Sequence, residues 1–107
     1  SGEDGTIAGF LAQGGHGCIS VTANVAPKLT SMLHYYWQKK NYKEFDKVNL
    51  RLASLSKILF AEPNPTPAKY ALSLMGKCKA DIREPLYELS PETKKQVRKT
   101  IKDLNFI

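Results

Sequence analysis

The chain has 107 residues, is 42% hydrophobic and carries a formal net charge of +6 at pH 7. Its length is that of one ordinary domain, and its apolar fraction suffices for a core, so we expect a folded rather than a disordered chain. No apolar run reaches the roughly 18 residues of a membrane-spanning helix, and the lysines are mixed with acids without a basic–aromatic motif, so we expect neither a membrane segment nor a nucleic-acid partner.

The first forty residues predict a short helix, a buried strand and a longer helix, with glycines between them. A glycine-rich loop opens the chain, and Thr6–Gln13 has the apolar spacing of a helix that ends at Gly14. The residues Cys18–Thr22 are typical of a strand that helices cover on both faces. Asn24 is then expected to cap a helix over Val25–Lys40.

The remaining residues predict three further helices and one irregular loop. Apolar residues that repeat every three or four positions predict a helix over Tyr42–Phe60. After closely spaced prolines, Asn64 is the expected cap of a helix over Pro65–Met75. Residues 77–89 predict a loop, and Ser90 is the expected cap of the last helix. The predicted fold class is therefore mostly α with one short strand.

The predicted strand has no partner in the sequence. A single strand leaves its backbone N–H and C=O groups without hydrogen bonds on both sides. Because no second convincing strand occurs in the chain, we expect the neighbouring strands to belong to a larger protein of which these residues are one part.

The side chains that could carry chemistry have simpler explanations. Cys18 and Cys78 lack metal or redox spacing, which indicates reduced thiols in a cytoplasmic protein. His34 lies on a predicted helix with no other ligand at metal-binding spacing, so we expect no metal site. Glu3 and Asp4 have the pattern of a paired carboxylate, but they are expected to cap the first helix.

Four stretches of the chain, taken together, form a pattern that is specific enough to indicate a protein family. They lie at Ser1–Asp4, Gly14–Pro27, Glu62–Lys69 and Ile82–Leu86. In this order they resemble the C-terminal part of the dihydrodipicolinate synthase family, and the resemblance extends over essentially the whole chain. It implies a TIM (β/α)₈ barrel followed by a C-terminal helical bundle. Residues 1–40 would be the end of the barrel (the loop after strand seven, a helix, strand eight and a helix), and residues 41–107 would be the bundle. A complete barrel takes about 250 residues, so we expect a truncated segment.

The same resemblance implies a lyase that condenses pyruvate with aspartate semialdehyde in lysine and diaminopimelate biosynthesis. Members of the family form a Schiff base between pyruvate and a lysine, need no cofactor and usually assemble as homotetramers. The Schiff-base lysine and its helpers lie upstream of Ser1 in the family. We therefore expect no catalytic residue in this segment and no activity from it alone.

Two positions match substrate-contacting residues of the family. Gly2 corresponds to the end of strand seven, and Ile19 lies on strand eight. The resemblance implies that the Ile19 carbonyl faces bound pyruvate and that Gly2 lets the substrate approach because it has no side chain. The simpler alternatives are a turn glycine at Gly2 and an ordinary core residue at Ile19.

A hypothesis from a different class is a stand-alone or degenerate helical interaction module whose basic faces bind an anionic partner. The two hypotheses differ in what they require around the predicted strand. A segment of a barrel leaves a strand edge without partners, whereas a complete module has a covered surface.

Overall fold

The computed structural model describes residues 1–107 and contains six α-helices and no β-strand. The helices are α1 (Ile7–Ala12), α2 (Thr22–Val25), α3 (Pro27–Gln38), α4 (Tyr42–Leu59), α5 (Thr66–Leu74) and α6 (Pro91–Asp103), and a short 3₁₀ helix, Asp4–Thr6, precedes α1. The chain divides into two compact units, Ser1–Ser56 and Lys57–Ile107. The predicted mostly helical class is confirmed.

The predicted strand over Cys18–Thr22 is wrong as a regular element. Residues 18–20 have no regular secondary structure, and Thr22 is already the first residue of α2. The physical reason is that a strand is defined by its hydrogen-bonded neighbours, and within the chain these residues pair only with Ser1, through two backbone bonds. Asn24 is not a helix cap either, because it lies inside α2, where its side-chain amide donates to the Val21 carbonyl at 3.1 Å.

The helix predicted over Val25–Lys40 is interrupted at its start. Ala26 has φ −130° and ψ 64°, so α2 ends before it and α3 begins at Pro27. Proline disfavours the helical conformation in the residue that precedes it, while its own fixed φ suits the first turn of the new helix. At the other end Lys40 has φ 57°, which places it outside α3.

The first unit buries apolar side chains from all four of its helices. The predicted apolar repeat of α4 is confirmed, since the residues that recur every three or four positions are all buried: Phe45, Val48, Leu52, Leu55 and Leu59. The buried side chains of this unit include Ile7, Leu11, Val25, Leu29, Leu33, Phe45, Val48, Leu52 and Leu55. Gly14 ends α1 as predicted: it has φ +95°, and Gly15 donates to the Phe10 carbonyl at 2.9 Å across the helix end.

The second unit consists of the end of α4, then α5 and α6, which pack on each other, and the irregular residues 77–89. The predicted cap at Asn64 is wrong, because Pro65 is the N-cap of α5 and no side chain bonds to this helix start. Ser90 caps α6 as predicted, and its hydroxyl accepts from the Thr93 amide at 3.2 Å.

Glu62 supports the same helix start from the loop before α5. The Ser90 amide and hydroxyl each donate to its carboxylate at 3.2 Å. The pKa of Glu62 lies below its ordinary value of 4.5 because its carboxylate accepts hydrogen bonds, of which the one from Thr93 has the largest effect and those from Ser90 add to it. These bonds therefore favour the ionised carboxylate in the folded chain.

This pKa shift makes part of the stability pH-dependent. A carboxylate whose pKa is lowered on folding adds stability above its ordinary pKa, and that stability is lost as the pH falls through the folded pKa. We expect Glu62→Gln to lower the urea midpoint at about pH 7, and the gap to wild type to narrow as the pH falls below the ordinary pKa of 4.5. Asp46→Asn, at an exposed carboxylate with no hydrogen bond, is the control. A gap that stays constant across this range would contradict the expectation.

Candidate functional site

The beginning of the chain lies beside residues 17–20. The Ser1 nitrogen donates to the Gly17 carbonyl at 3.0 Å, and the Ile19 amide donates to the Ser1 carbonyl at 2.8 Å. In a parallel sheet, one residue bonds through its N–H and its C=O to the two residues that flank the residue opposite it. Ser1 does this with Gly17 and Ile19, which flank Cys18. Ser1 and Cys18 thus form a single rung with the register of parallel strands.

Gly2 and Ile19 both follow this rung, so they lie at the same, C-terminal edge of the two backbone segments. We call this the Gly2–Ile19 edge. The carbonyl of Ile19 accepts no hydrogen bond from the chain. A methyl group built on Gly2 would meet nothing within 4 Å. The edge therefore presents one unpaired backbone acceptor beside open space.

The sequence predicts a segment that is covered on both faces, but only one face of the segment at this edge is covered. Cys18 and Val21 are partly buried, but the Ile19 side chain is 89% exposed. Within this chain no residue covers the face on which the Ile19 side chain lies. The exposed aliphatic side chain is the feature that a barrel segment without its neighbours predicts.

Asp4 holds the residues that follow Ile19. Its carboxylate accepts a hydrogen bond from the Ser20 hydroxyl, a second from the Val21 amide at 2.9 Å and a third from the Thr22 amide at 3.1 Å. The prediction that Asp4 caps the first helix is therefore wrong, because it binds the start of α2. The prediction is wrong for Glu3 as well, because Thr6 is the N-cap of α1 and no side chain bonds to that helix start. The Glu3 carboxylate instead accepts from the Gly5 amide at 3.0 Å and caps the short 3₁₀ helix before α1.

This role of Asp4 could not be predicted from the sequence because the interaction is not local. Asp4 and its three donors are 16 to 18 positions apart along the chain. Capping rules compare residues within one turn, so they assign an acid to the helix that follows it directly. The signal that could have found it is the rung between Ser1 and Cys18, which brings Asp4 next to α2.

The other candidate side chains do not form a reactive centre. Burial raises the pKa of the Cys18 thiol, and the negative charge of Asp4 raises it further, so the thiol stays protonated and is a poor nucleophile. The chain brings no three His, Cys, Asp or Glu side chains together in a way that could hold a metal ion. None of the six helices has the length and hydrophobicity that crossing a membrane requires.

Comparison with protein families gives one match over nearly the whole chain. Residues 1–104 match the Dihydrodipicolinate synthetase family. The curated relatives include 4-hydroxy-tetrahydrodipicolinate synthases of Bradyrhizobium diazoefficiens, 49% identical over 92% of this chain, and of Ehrlichia canis, 44% identical over 100% of it. The chain spans 33% and 36% of the length of these two proteins, respectively.

Solved structures give the same result. Dihydrodipicolinate synthase from Thermotoga maritima superposes over 100% of this chain with a TM-score of 0.96 and 37% identity, and the match covers 36% of that structure. The chloride-inhibited enzyme of Acinetobacter baumannii, complexed with pyruvate, gives a TM-score of 0.92 and 38% identity, with 100% of this chain and 37% of that chain covered. These neighbours are TIM-barrel enzymes, and the chain has the fold of a fragment of that barrel.

Proposed function

Because this chain belongs to the Dihydrodipicolinate synthetase family, we propose that it is the C-terminal part of a 4-hydroxy-tetrahydrodipicolinate synthase. Residues 1–40 form the end of the barrel in this proposal, and residues 41–107 form the appended helical bundle. The parallel rung between Ser1 and Cys18 supports the first part, because it has the register expected between the last two strands of a barrel.

The complete protein, in this proposal, is a lyase that condenses pyruvate with aspartate semialdehyde through a Schiff base and supplies lysine and diaminopimelate biosynthesis. Support comes from the curated relatives, which are named for this synthase, and from the solved relative that holds pyruvate. We also propose that the complete protein is cytoplasmic and homo-oligomeric, that it uses no cofactor and that it has neither a nucleic-acid nor a membrane partner.

Gly2 and Ile19 contact the substrate in this proposal. In TIM barrels the active site lies at the C-terminal ends of the strands, and the Gly2–Ile19 edge is such an end. The unpaired Ile19 carbonyl is an acceptor that can face pyruvate, and the open space at Gly2 leaves room for it. The single observation that carries the proposal is that both residues share one edge.

The segment alone is inactive in this proposal because it lacks a suitable lysine. A lysine that forms a Schiff base needs a lowered pKa, which desolvation in a closed pocket or a neighbouring cation provides. None of the lysines of this chain is buried. The reactive amine must therefore come from the part of the barrel that these residues do not include.

A fusion protein tests the proposal. The upstream two thirds of the Bradyrhizobium relative are joined to this chain, and pyruvate-dependent consumption of aspartate semialdehyde is measured. We expect the fusion to turn over and the 107-residue chain alone to be inactive. A folded fusion without activity would contradict the proposal and favour the helical interaction module.

A pair of glycine variants in the same fusion tests the site. Gly2→Leu fills the open space at the edge, and we expect it to raise KM for pyruvate about tenfold, which corresponds to about 1.4 kcal/mol of lost binding. Gly9→Ala is the matched control, because Gly9 lies in α1 and also has nothing within 4 Å. Equal KM values for the two variants would contradict the role of Gly2.

A further inference from the structure

The carboxylate of Asp4 is fully engaged by three consecutive residues. One oxygen accepts from the Ser20 hydroxyl, and the other accepts from the amides of Val21 and Thr22 at 2.9 and 3.1 Å. Hydrogen bonds to an ionised acceptor are about twice as strong as those between neutral groups. The three donors follow Ile19 directly in the chain, so Asp4 restrains the backbone immediately beyond it.

Ser20 connects Asp4 to α2 through hydrogen bonds. Its hydroxyl donates to Asp4 and also accepts from the Ala23 amide at 2.9 Å. A hydroxyl that accepts from the amide three residues later is the usual geometry of a helix cap. Val21 is the N-cap of α2, so Ser20 lies just before the helix, and its side chain is restrained by Asp4 on one side and by the Ala23 amide of α2 on the other.

Ile19 is consequently held on both sides. Its own amide is bound to the Ser1 carbonyl at 2.8 Å, and the residue after it is bound to Asp4. A peptide group is planar and turns as one unit, so bonds to the groups on both sides of the Ile19–Ser20 peptide restrict the direction of the Ile19 carbonyl. This carbonyl is the one group in the restrained segment that the proposed function assigns to the substrate.

We infer that Asp4 is a positioning residue for the substrate pocket: its carboxylate orients the Ile19 carbonyl at the Gly2–Ile19 edge without touching the substrate. This inference rests on the proposed function. A purely structural cap of α2 would change stability and leave substrate binding alone. A positioning residue changes the affinity for pyruvate even where the protein is fully folded.

Asp4→Asn in the fusion protein separates these two roles. The amide group is the size of the carboxylate, but its nitrogen cannot accept, so one of the two bound oxygens is lost. We expect KM for pyruvate to rise about tenfold and kcat to change much less, at a temperature where the variant is folded. Glu3→Gln is the matched control, because the Glu3 carboxylate bonds to the Gly5 amide and to none of the residues after Ile19, and we expect its KM to equal that of the parent.

Hydrogen exchange in the 107-residue chain gives a readout that needs no activity. We expect the Val21 and Thr22 amides to exchange at least about tenfold faster in Asp4→Asn and to be unchanged in Glu3→Gln. Ser20→Ala is the second variant in case Asp4→Asn does not fold. It removes one donor and leaves both backbone bonds to Asp4, so we expect a smaller rise in KM.

The outcomes distinguish the two proposals. An inactive parent fusion overturns the proposed function and, with it, the role of Asp4. An active parent whose Asp4→Asn variant shows faster amide exchange but an unchanged KM overturns the positioning role alone. An unchanged KM in Ser20→Ala, where Asp4→Asn does not fold, also overturns it.

Discussion

Leu33→Ala lowers the free energy of unfolding of the chain by about 2–5 kcal/mol. Leu33 lies on α3 in the first unit, and its side chain is 1% exposed. Its replacement removes buried methyl groups and leaves a cavity, because a close-packed interior relaxes only in part around a missing side chain. Urea unfolding followed by circular dichroism measures this loss.

Leu50→Ala is the matched control for this expectation. Leu50 lies on α4 in the same unit, but its side chain is 73% exposed. Truncation there removes little buried surface, and alanine is a good helix former, so we expect a change within about 0.5 kcal/mol. A loss at Leu33 no greater than that at Leu50 would show that the first unit has no packed interior in solution.

Ala71→Leu destabilises the second unit by about 1–3 kcal/mol through overpacking. Ala71 lies on α5, is 0% exposed and belongs to the helix that packs against α6. A side chain with three more carbon atoms has no room there, so neighbouring residues must leave their preferred rotamers or the two helices must separate. The same urea titration measures the effect.

The same substitution at an exposed alanine is the control, because it changes helix propensity equally but crowds no neighbouring side chain. Ala53 lies on the surface of α4, and we expect Ala53→Leu to change stability by less than about 0.5 kcal/mol. If both leucine variants were equally stable, α5 and α6 would be packed more loosely than the structure indicates.

The helices could be predicted from the sequence because their signals are local. The apolar repeat of α4, the left-handed residue Gly14 after α1 and the cap at Ser90 each depend on neighbours within one or two turns, and all three are confirmed. The error at Asn64 is local too. Pro65 is the N-cap in its place, so α5 begins at Thr66, one residue later than expected.

The extended segment could not be predicted in the same way, because its state depends on partners that are distant in sequence. Residues 18–22 have the composition of a strand, yet only Cys18 forms a rung with Ser1, and the chain turns into α2 at Thr22. Asp4 was assigned to the wrong helix for the same reason. The roles of Gly2 and Ile19 came from the family resemblance, and they stay predictions until the fusion is assayed.

The rung between Ser1 and Cys18 also decides which way each side chain of the segment faces. Side chains alternate along extended backbone, so the partly buried Cys18 and Ser20 lie on one side and Ile19 lies on the other. In a barrel one side of every strand is turned to the surrounding helices and the other to the lumen. Because the first side is the one that the helices of this unit cover, we expect Ile19 to belong to the inward-facing layer of the complete barrel that we propose. A slip of a single position would exchange the two sides and turn Ile19 outward, towards the helices.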